Sequence, residues 1–259
     1  MRLKEINSLV ELFFKKYKEK FSNDLEKSKE LFLTSLKNKN LHDNLSGPYT
    51  YSWGNIHTKI NALSNYLEQV ISKGDRCILL SENRPEWLIS DIAIMNAGGV
   101  TVPLFTTYSK NDYEYIIKDC EPKVCIVSNI DQLVKIKDFI AENTIVISID
   151  RFDETIEFFE NIFLKDKAII KKSIESAAPY NKDLRRNDLA CIIYTSGTTG
   201  NPKGVMLSHG GILSNCEGAQ EILKSLTKKD PPVFLTWLPL SHSYEHTVQY
   251  VQILSLIHI

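Results

Sequence analysis

The sequence predicts an α/β fold in which a largely parallel sheet is covered by helices. From residue 49 onward, short apolar runs typical of strands alternate with helical stretches of about ten or more residues. Connections of that length are typical of crossovers between parallel strands. The composition, 43% hydrophobic and 24% charged, is that of a globular protein, and the sequence contains no internal repeat or low-complexity linker.

The first 48 residues are predicted to form a helical lead-in. Their apolar residues have the spacing of one helix face: Ile6, Leu9, Val10, Phe13, Phe14, Tyr17 and Phe21. Residues 1–40 contain ten Lys/Arg and six Asp/Glu, so this segment carries a net charge of +4. A basic amphipathic helix can lie on an anionic membrane, but such a stripe more often packs on the core of its own domain.

The remaining elements follow in order from apolar periodicity and from glycine and proline positions. Pro85 suits the first turn of a helix that reaches Asn96, and Gly98 and Gly99 close it. The predicted strands are 49–53, 77–80, 100–105, 124–127, 144–149, 189–194 and 233–238. The predicted helices are 56–70, 85–96, 112–119, 132–141 and 212–226, with one or two more in 153–178.

Charge and cysteine content exclude several classes of protein. The net charge of −1 gives no reason to expect a nucleic-acid partner. No stretch approaches the roughly 18 apolar residues of a membrane span, and the amino terminus does not have the pattern of a secretory signal. The five cysteines form no C-x-x-C pair, which predicts reduced, buried thiols in a cytoplasmic protein attached at most to a membrane surface.

A glycine-rich loop after a predicted strand is the most informative feature. Five of the eleven glycines lie between residues 197 and 211, directly after the apolar run 190–194. Glycines let backbone N–H groups approach a ligand closely, and the hydroxyls of Thr195, Ser196, Thr198 and Thr199 add donors. Lys203 adds a positive charge. Together these groups favour a polyphosphate ligand.

The spacing in this loop differs from two common phosphate-binding patterns. A Walker A loop requires G-x-x-x-x-G-K-[ST], whereas Lys203 follows Pro202 and precedes Gly204. The dinucleotide pattern G-x-G-x-x-G is also absent. A flexible polar surface loop is the alternative, but the lysine, the proline and the preceding strand together argue against it.

Residues 194–204, Y-T-S-G-T-T-G-N-P-K-G, resemble the defining loop of the adenylate-forming superfamily, which includes acyl-CoA synthetases, luciferases and peptide-synthetase adenylation domains. Residues 74–76, 81–87 (S-E-N-R-P-E-W) and 102–104 resemble the amino-terminal half of long-chain fatty-acid–CoA ligases. Residues 237–245, W-L-P-L-S-H-S-Y-E, resemble the next core motif. The similarity covers residues 49–253, which would form part of the large amino-terminal domain of that fold.

The resemblance implies a set of ligands and contacts. The substrates would be ATP, a fatty acid and CoA, with Mg²⁺ as cofactor and no obligate protein partner. Lys203 and His242 would be catalytic, and Tyr244 would lie with His242 near the acyl path. The Ser196 hydroxyl could reach Mg²⁺. The implied ATP- or AMP-binding residues are Thr195, Ser196, Gly197, Thr198, Thr199, Gly200, Lys203 and His242.

Residue chemistry alone leaves His242 open between a functional group and a hydrogen-bonded core or capping residue. His246 lies four positions further on, which is a metal-ligand spacing, but no third ligand follows at a recognisable distance. Metal binding by this pair is therefore the weaker interpretation. Ser241 lacks the G-x-S-x-G context of a hydrolase nucleophile.

The same resemblance predicts that the chain is an inactive portion of a longer enzyme. A downstream magnesium-binding glutamate, a ribose-binding aspartate and a small carboxy-terminal lid domain would be absent. Residues 254–259 resemble a translated sequencing adapter. Two alternatives stay open: adenylation of a different acid (acetate, an aryl acid or an amino acid), and a naturally short, non-catalytic nucleotide-binding module.

Overall fold

The computed structural model describes residues 3–21, 27–35, 49–165, 180–195, 200–226 and 233–255. Its strands are β1 (Leu31–Ser35), β2 (Tyr49–Ser52), β3 (Arg76–Leu80), β4 (Val100–Leu104), β5 (Val124–Val127), β6 (Ile145–Ser148), β7 (Glu157–Phe158), β8 (Leu189–Thr195) and β9 (Lys203–Ser208). Its helices are α1 (Leu9–Phe21), α2 (Trp53–Leu67), α3 (Pro85–Asn96), α4 (Lys110–Cys120), α5 (Ile130–Ile136), α6 (Phe159–Lys165), α7 (His209–Leu226) and α8 (Ser243–Ser255). Short 3-10 turns occupy Leu3–Glu5 and Lys27–Lys29.

A seven-stranded sheet organises the described residues, in the order β7-β6-β5-β3-β4-β8-β9. Every neighbouring pair is parallel except β8 and β9, which form an antiparallel hairpin at one edge. Strands β1 and β2 form a separate antiparallel pair. The predicted fold class, a largely parallel sheet covered by helices, is confirmed.

The side chains of the central strands alternate between two hydrophobic cores, one on each face of the sheet. Ile78 and Leu80 of β3 pack in the core formed with α4 and α5, while Cys77 and Leu79 pack in the larger core with the other helices. Because both faces are covered, β3, β4 and β5 are almost entirely apolar, as expected for buried parallel strands.

Helix α1 belongs to the larger core. Leu9, Leu12 and Phe13 are completely buried, and the helix packs against α2, α3, α7 and α8. Its apolar stripe therefore contacts the domain, as the docking interpretation predicts. Among the described helices, none combines the length and apolar character needed to cross a bilayer.

Some predicted elements differ from the structure. Residues 233–238 do not form a strand: only Val233 makes an isolated bridge, and the segment up to α8 is irregular. The helix predicted at 132–141 spans Ile130–Ile136. Within 153–178 the structure has β7 and α6, and residues 166–179 lie outside the described ranges. Strands β1 and β9 and helix α8 were not predicted.

All five cysteines lie in described ranges and all are buried without a disulfide, which confirms their predicted burial. Burial raises the pKa of Cys120 and of Cys216 to about 12, so both thiols stay protonated at neutral pH. They behave as small core residues.

Candidate functional site

The carboxyl ends of β3, β4 and β8 meet at one edge of the sheet, because these strands are neighbours and parallel. The segments that leave them are residues 81–84, residues 105–109 and the glycine-rich loop. Ligands of open parallel sheets bind at this edge, where loops converge and helices begin.

The β8–β9 hairpin carries the glycine-rich loop. Thr195 and Lys203 are register partners across the two strands, so the loop begins and ends at one point of the edge. Both residues are exposed, as is Gly200, whose φ of +126° favours glycine. Ser196, Gly197, Thr198 and Thr199 lie outside the described residues.

Tyr194 fixes the base of this hairpin. Its hydroxyl donates to Asp119 Oδ2 on α4 (2.5 Å), and its carbonyl accepts from the hydroxyl of Tyr108 (2.7 Å). Gly204 lies against the same ring, because a Cβ at this position would be 3.1 Å from Tyr194 Cζ and 3.0 Å from Ile192 Cγ2. The glycine is needed here for close packing of β9 on β8.

The turn before α8, residues 238–242, is attached to the same edge. Asn83 donates from Nδ2 to the Leu238 carbonyl (2.7 Å) and accepts from the Leu240 N–H at Oδ1 (2.9 Å). Ser241 donates its hydroxyl to the carbonyl of Leu104, the last residue of β4 (2.9 Å). The turn is thus hydrogen-bonded to the segments that follow both β3 and β4.

His242 lies on this turn immediately before α8 and is exposed. Its Nδ1 accepts a hydrogen bond from the backbone N–H of Tyr244 (3.2 Å). A neutral imidazole that accepts at Nδ1 carries its proton on Nε2, so Nε2 is left as a donor. The Tyr244 side chain is 63% exposed.

Ring contacts connect His242 with the hairpin. The ring of Phe105, just after β4, lies 6.4 Å from the ring of His242 and 5.2 Å from that of Tyr108, centroid to centroid. Tyr108 is the residue that holds the Tyr194 carbonyl. The structure therefore brings the base of the loop and the turn that carries His242 to one edge of the sheet.

His246 does not share a site with His242. It is 1% exposed, and its Nε2 is 2.8 Å from Oδ2 of Asp91, a fully buried residue of α3. Burial opposes a charge on this ring, but the Asp91 carboxylate outweighs that effect and raises the pKa of His246 to about 10. The described residues include no group of three His, Cys, Asp or Glu that could hold a metal ion.

A cavity of about 440 Å³ opens beside the turn. It is lined by the segments after β3 and β4, by part of β1 and by most of residues 234–241. Apolar groups such as Leu33, Leu88 and Phe105 form much of its wall. Ser241 lines it, while Thr195, Lys203, His242 and Tyr244 are not among its described lining residues.

The charged side chains Arg84 and Glu82 line this cavity and have hydrogen-bond partners within the protein. Arg84 donates to Glu86 Oε2 (2.9 Å) and to Asp150 Oδ1 (3.0 Å). Burial opposes ionisation of Glu82, but hydrogen bonds, one of them from Gln132 (2.8 Å), outweigh it and lower the pKa of Glu82. Both groups are therefore charged at neutral pH.

No role was predicted from the sequence for Asn83, which binds the turn before α8, for Arg84, which lines the cavity, or for Asp91, which binds His246. Residues 81–87 contributed only to the family resemblance, and a single sequence does not show which backbone Asn83 would reach. Asp91 lies in the mostly apolar stretch 88–95 of α3, and a carboxylate among apolar residues is the signal that could have indicated a buried partner.

The chain is similar in sequence to known proteins. The family model described as "AMP-binding enzyme" matches residues 35–256. Fatty acyl-CoA synthetase A of Dictyostelium discoideum is 33% identical over 218 residues, which cover 80% of this chain and 32% of that protein. Long chain acyl-CoA synthetase 3 of Arabidopsis thaliana is 30% identical over 227 residues, which cover 80% and 33%.

Solved structures show the same fold at lower identity. ATP-bound MatB from Rhodopseudomonas palustris has a TM-score of 0.64 and 24% identity, with 98% of this chain and 44% of that chain covered. VinN has a TM-score of 0.69 and 16% identity, with 97% and 56% covered. The chain spans about a third of the length of the curated relatives it matches. Because the AMP-binding enzyme model matches most of the length of the chain, the chain belongs to the AMP-binding enzyme family.

Proposed function

We propose that this chain contributes the phosphate-binding loop and the acid-facing edge of an ATP-dependent ligase that activates fatty acids, with long-chain acids as its substrates. The carboxylate would be converted to an acyl-adenylate and then to acyl-CoA, with release of pyrophosphate and AMP. The observation that supports the proposal is the glycine-rich sequence 194–204, whose described ends, Thr195 and Lys203, are register partners of β8 and β9 at the carboxyl end of β8. The names of the curated relatives support the acid class.

The chemistry explains why such a loop is useful. A carboxylate oxygen attacks the α-phosphorus of ATP, and the bond from that phosphorus to the bridging oxygen breaks, which releases pyrophosphate. In the second half-reaction the CoA thiol loses its proton, its sulfur attacks the acyl carbon, and AMP leaves. The first half-reaction brings an anion towards a polyanion, so charge neutralisation and alignment dominate its barrier. Neither half-reaction requires a protein nucleophile.

Each site residue has a proposed part in these events. Thr195, Gly200 and residues 196–199 would surround the phosphates, and the exposed ammonium of Lys203 would neutralise charge on the departing pyrophosphate. His242 would donate from Nε2 to an oxygen at the junction of acid and nucleotide, with Tyr244 beside the acyl path. The Ser196 hydroxyl would contact Mg²⁺, an ion that neutralises phosphate charge when bound.

The cavity beside the turn suits the acid substrate or the thiol that replaces AMP. Much of its wall is apolar, and its polar lining residues include Asn83 and Ser241, which lies next to His242 in the sequence. Pockets for apolar ligands have this composition, with a few polar groups that fix orientation. The cavity also lies at the sheet edge that carries the phosphate loop.

The first test is ATP binding by the 259-residue chain, measured by calorimetry with Mg²⁺ present. We expect Lys203→Ala to weaken binding at least about tenfold, because one charge-assisted contact contributes about 1.5–3 kcal/mol. Lys118→Ala is the matched control, since Lys118 is an exposed lysine paired with Glu114 on α4. The absence of ATP binding by the wild-type chain, or equal effects of the two substitutions, would contradict the proposal.

The second test identifies the acid. The assay measures the exchange of labelled pyrophosphate into ATP, which requires the acid substrate, and it uses the longest available protein that contains this sequence. The acids compared are palmitate, octanoate, acetate, benzoate and an amino acid. We expect exchange with the long-chain acid, and a much slower exchange rate in Lys203→Ala with little change in the affinity for the acid. Exchange driven by benzoate or an amino acid alone would assign a different substrate class.

A further inference from the structure

A single buried carboxylate holds two successive turns of helix α8. Asp91 Oδ2 accepts from His246 Nε2 (2.8 Å) and from the Tyr250 hydroxyl (2.5 Å). His246 and Tyr250 are four positions apart, so they lie on one face of α8 and meet Asp91 together. Asp91 and Tyr250 are completely buried.

The buried Asp91–His246 ion pair is not explained by a gain in stability alone. A buried ion pair is often no more stable than apolar residues of similar volume, because both charges must leave water. It does define the register of the helix. A displacement of α8 by one turn, about 5.4 Å, would leave at most one of the two donors within reach of Asp91, so the buried carboxylate would lose a hydrogen bond.

The same cluster includes Cys191, whose Sγ lies 3.8 Å from His246 Nδ1. Cysteine, histidine and aspartate in this order have the connectivity of a hydrolytic triad. Cys191 and Asp91 have no exposed surface and His246 has 1%, so no substrate can reach the sulfur. A charged His246 also has no free lone pair with which to take a thiol proton. The cluster is therefore not a reaction site.

The position of α8 determines that of His242. The His246 N–H donates to the His242 carbonyl (2.9 Å), and the Tyr244 N–H donates to His242 Nδ1. We propose that Asp91, His246 and Tyr250 form a positioning cluster that fixes the register of α8 and so holds the His242 imidazole in the tautomer with Nε2 as donor. The value of that donor to catalysis rests on the function proposed above, but its geometry can be tested independently.

The test is ¹⁵N NMR of histidine-labelled 259-residue chain at about pH 8, with signals assigned by single His→Gln variants. In the wild type we expect His242 to show one protonated and one unprotonated nitrogen, and His246 to show two protonated nitrogens. The triple variant Asp91→Leu/His246→Leu/Tyr250→Phe removes every polar partner at once, so it leaves no buried charge. We expect it to fold with an undiminished melting temperature but to lose the tautomer preference of His242.

Controls separate positioning from general packing. Asp91→Asn keeps an acceptor oxygen and should retain the His242 pattern, as should Thr247→Ala, a substitution next to His246 on α8. A folded triple variant with the wild-type His242 pattern would overturn the proposal. If the triple variant does not fold, the wild-type spectrum decides, because a His242 signal that averages over both tautomers would show that its imidazole is not held in one of them. These readouts involve no nucleotide, so a failure of ATP binding would count only against the proposed function.

Discussion

Leu240 donates its backbone N–H to the side-chain oxygen of Asn83 across 157 positions of sequence, at 2.9 Å. The other end of the same carboxamide donates to the Leu238 carbonyl. These two bonds flank Pro239, which has no N–H of its own. One side chain thus performs the pairing that a neighbouring strand would otherwise provide.

Asn83→Asp should destabilise the fold by about 1–3 kcal/mol, because a carboxylate cannot donate to the Leu238 carbonyl and would face it with like charge. The free energy of unfolding in urea measures this change. Asn111→Asp is the matched control: it makes the same change on an exposed position in the first turn of α4, where a negative charge is neutral to slightly stabilising. Equal losses in the two variants would argue against the hydrogen bonds of Asn83.

Two glycine substitutions should have opposite signs. Gly204→Ala places a Cβ within 3.1 Å of Tyr194 Cζ and should lower the free energy of unfolding by about 1–3 kcal/mol. Gly218→Ala, inside α7 with nothing within 4 Å, should raise it by about 0.5–1 kcal/mol through helix propensity. The melting temperatures of the two variants test these predictions. A higher melting temperature for Gly204→Ala would show that β9 packs differently on β8.

Arg84→Met should destabilise the protein by about 3–5 kcal/mol, because it removes the guanidinium that pairs with the fully buried carboxylate of Glu86. Arg151→Met removes an exposed ion pair with Glu154 and should change stability by less than about 1 kcal/mol. The double variant Arg84→Met/Glu86→Gln should recover part of the loss. No recovery in the double variant would mean that Arg84 acts mainly through Asp150 or through packing.

Stability should be highest near pH 6.5. Burial lowers the pKa of His57 and of His209 to about 4, so between about pH 6.5 and 4 the unfolded chain binds protons that the native state does not. Each histidine then lowers stability by up to about 1.4 kcal/mol per pH unit as the pH falls. His246 acts in the opposite direction: its pKa is raised to about 10, so its contribution is present below pH 6.5 and is lost as the pH rises towards 10.

Urea unfolding between about pH 4.5 and 8 measures this profile. His57→Phe is the informative variant, because His57 stacks on Tyr17 at 4.1 Å and an aromatic ring preserves that contact. Below pH 6.5, the free energy of unfolding of the variant should fall with pH about half as steeply as that of the wild type. A wild-type profile that stays flat between pH 6.5 and 4.5 would show that the two histidines are not buried in their neutral form.

The parallel strands were predictable because burial on both faces makes them continuous apolar runs. Strand β9 was not, since its first four residues are exposed and K-G-V-M reads as a continuation of the glycine loop. Helix α8 was missed for a different reason. Its buried face contains Glu245, His246, Gln249 and Gln252, so the polar residues hide the amphipathic period that reveals a helix.

Residues 233–238 show the opposite error. Val233, Leu235 and Trp237 alternate with less exposed residues, which is the period of a strand, and all three are 71–74% exposed. The alternation is real, but among the described residues no strand pairs along this segment. The apolar alternation in the sequence indicates that successive side chains point in opposite directions. A strand also requires a neighbouring strand with which its backbone can form hydrogen bonds.

For the candidate site, local motifs indicated which residues to select, but they did not indicate which distant side chains hold the surrounding segments. Thr195, Lys203 and His242 could be selected from local motifs, and the structure brings the elements that carry them to one sheet edge. Their roles stay predictions. The groups beneath them, Asn83 and Asp91, act over more than 150 positions, and single-sequence reasoning has no means of pairing residues at that separation.

The packing of α1 against α8 has a consequence for synthesis on the ribosome. About 220 residues separate Phe21 from Ser243, so the first helix emerges long before the last one that covers it. At about 5–20 residues per second, Leu9, Leu12 and Phe13 would wait roughly 10–45 s for that neighbour. Until α8 has been synthesised, this apolar stripe is incompletely covered and is available to a chaperone.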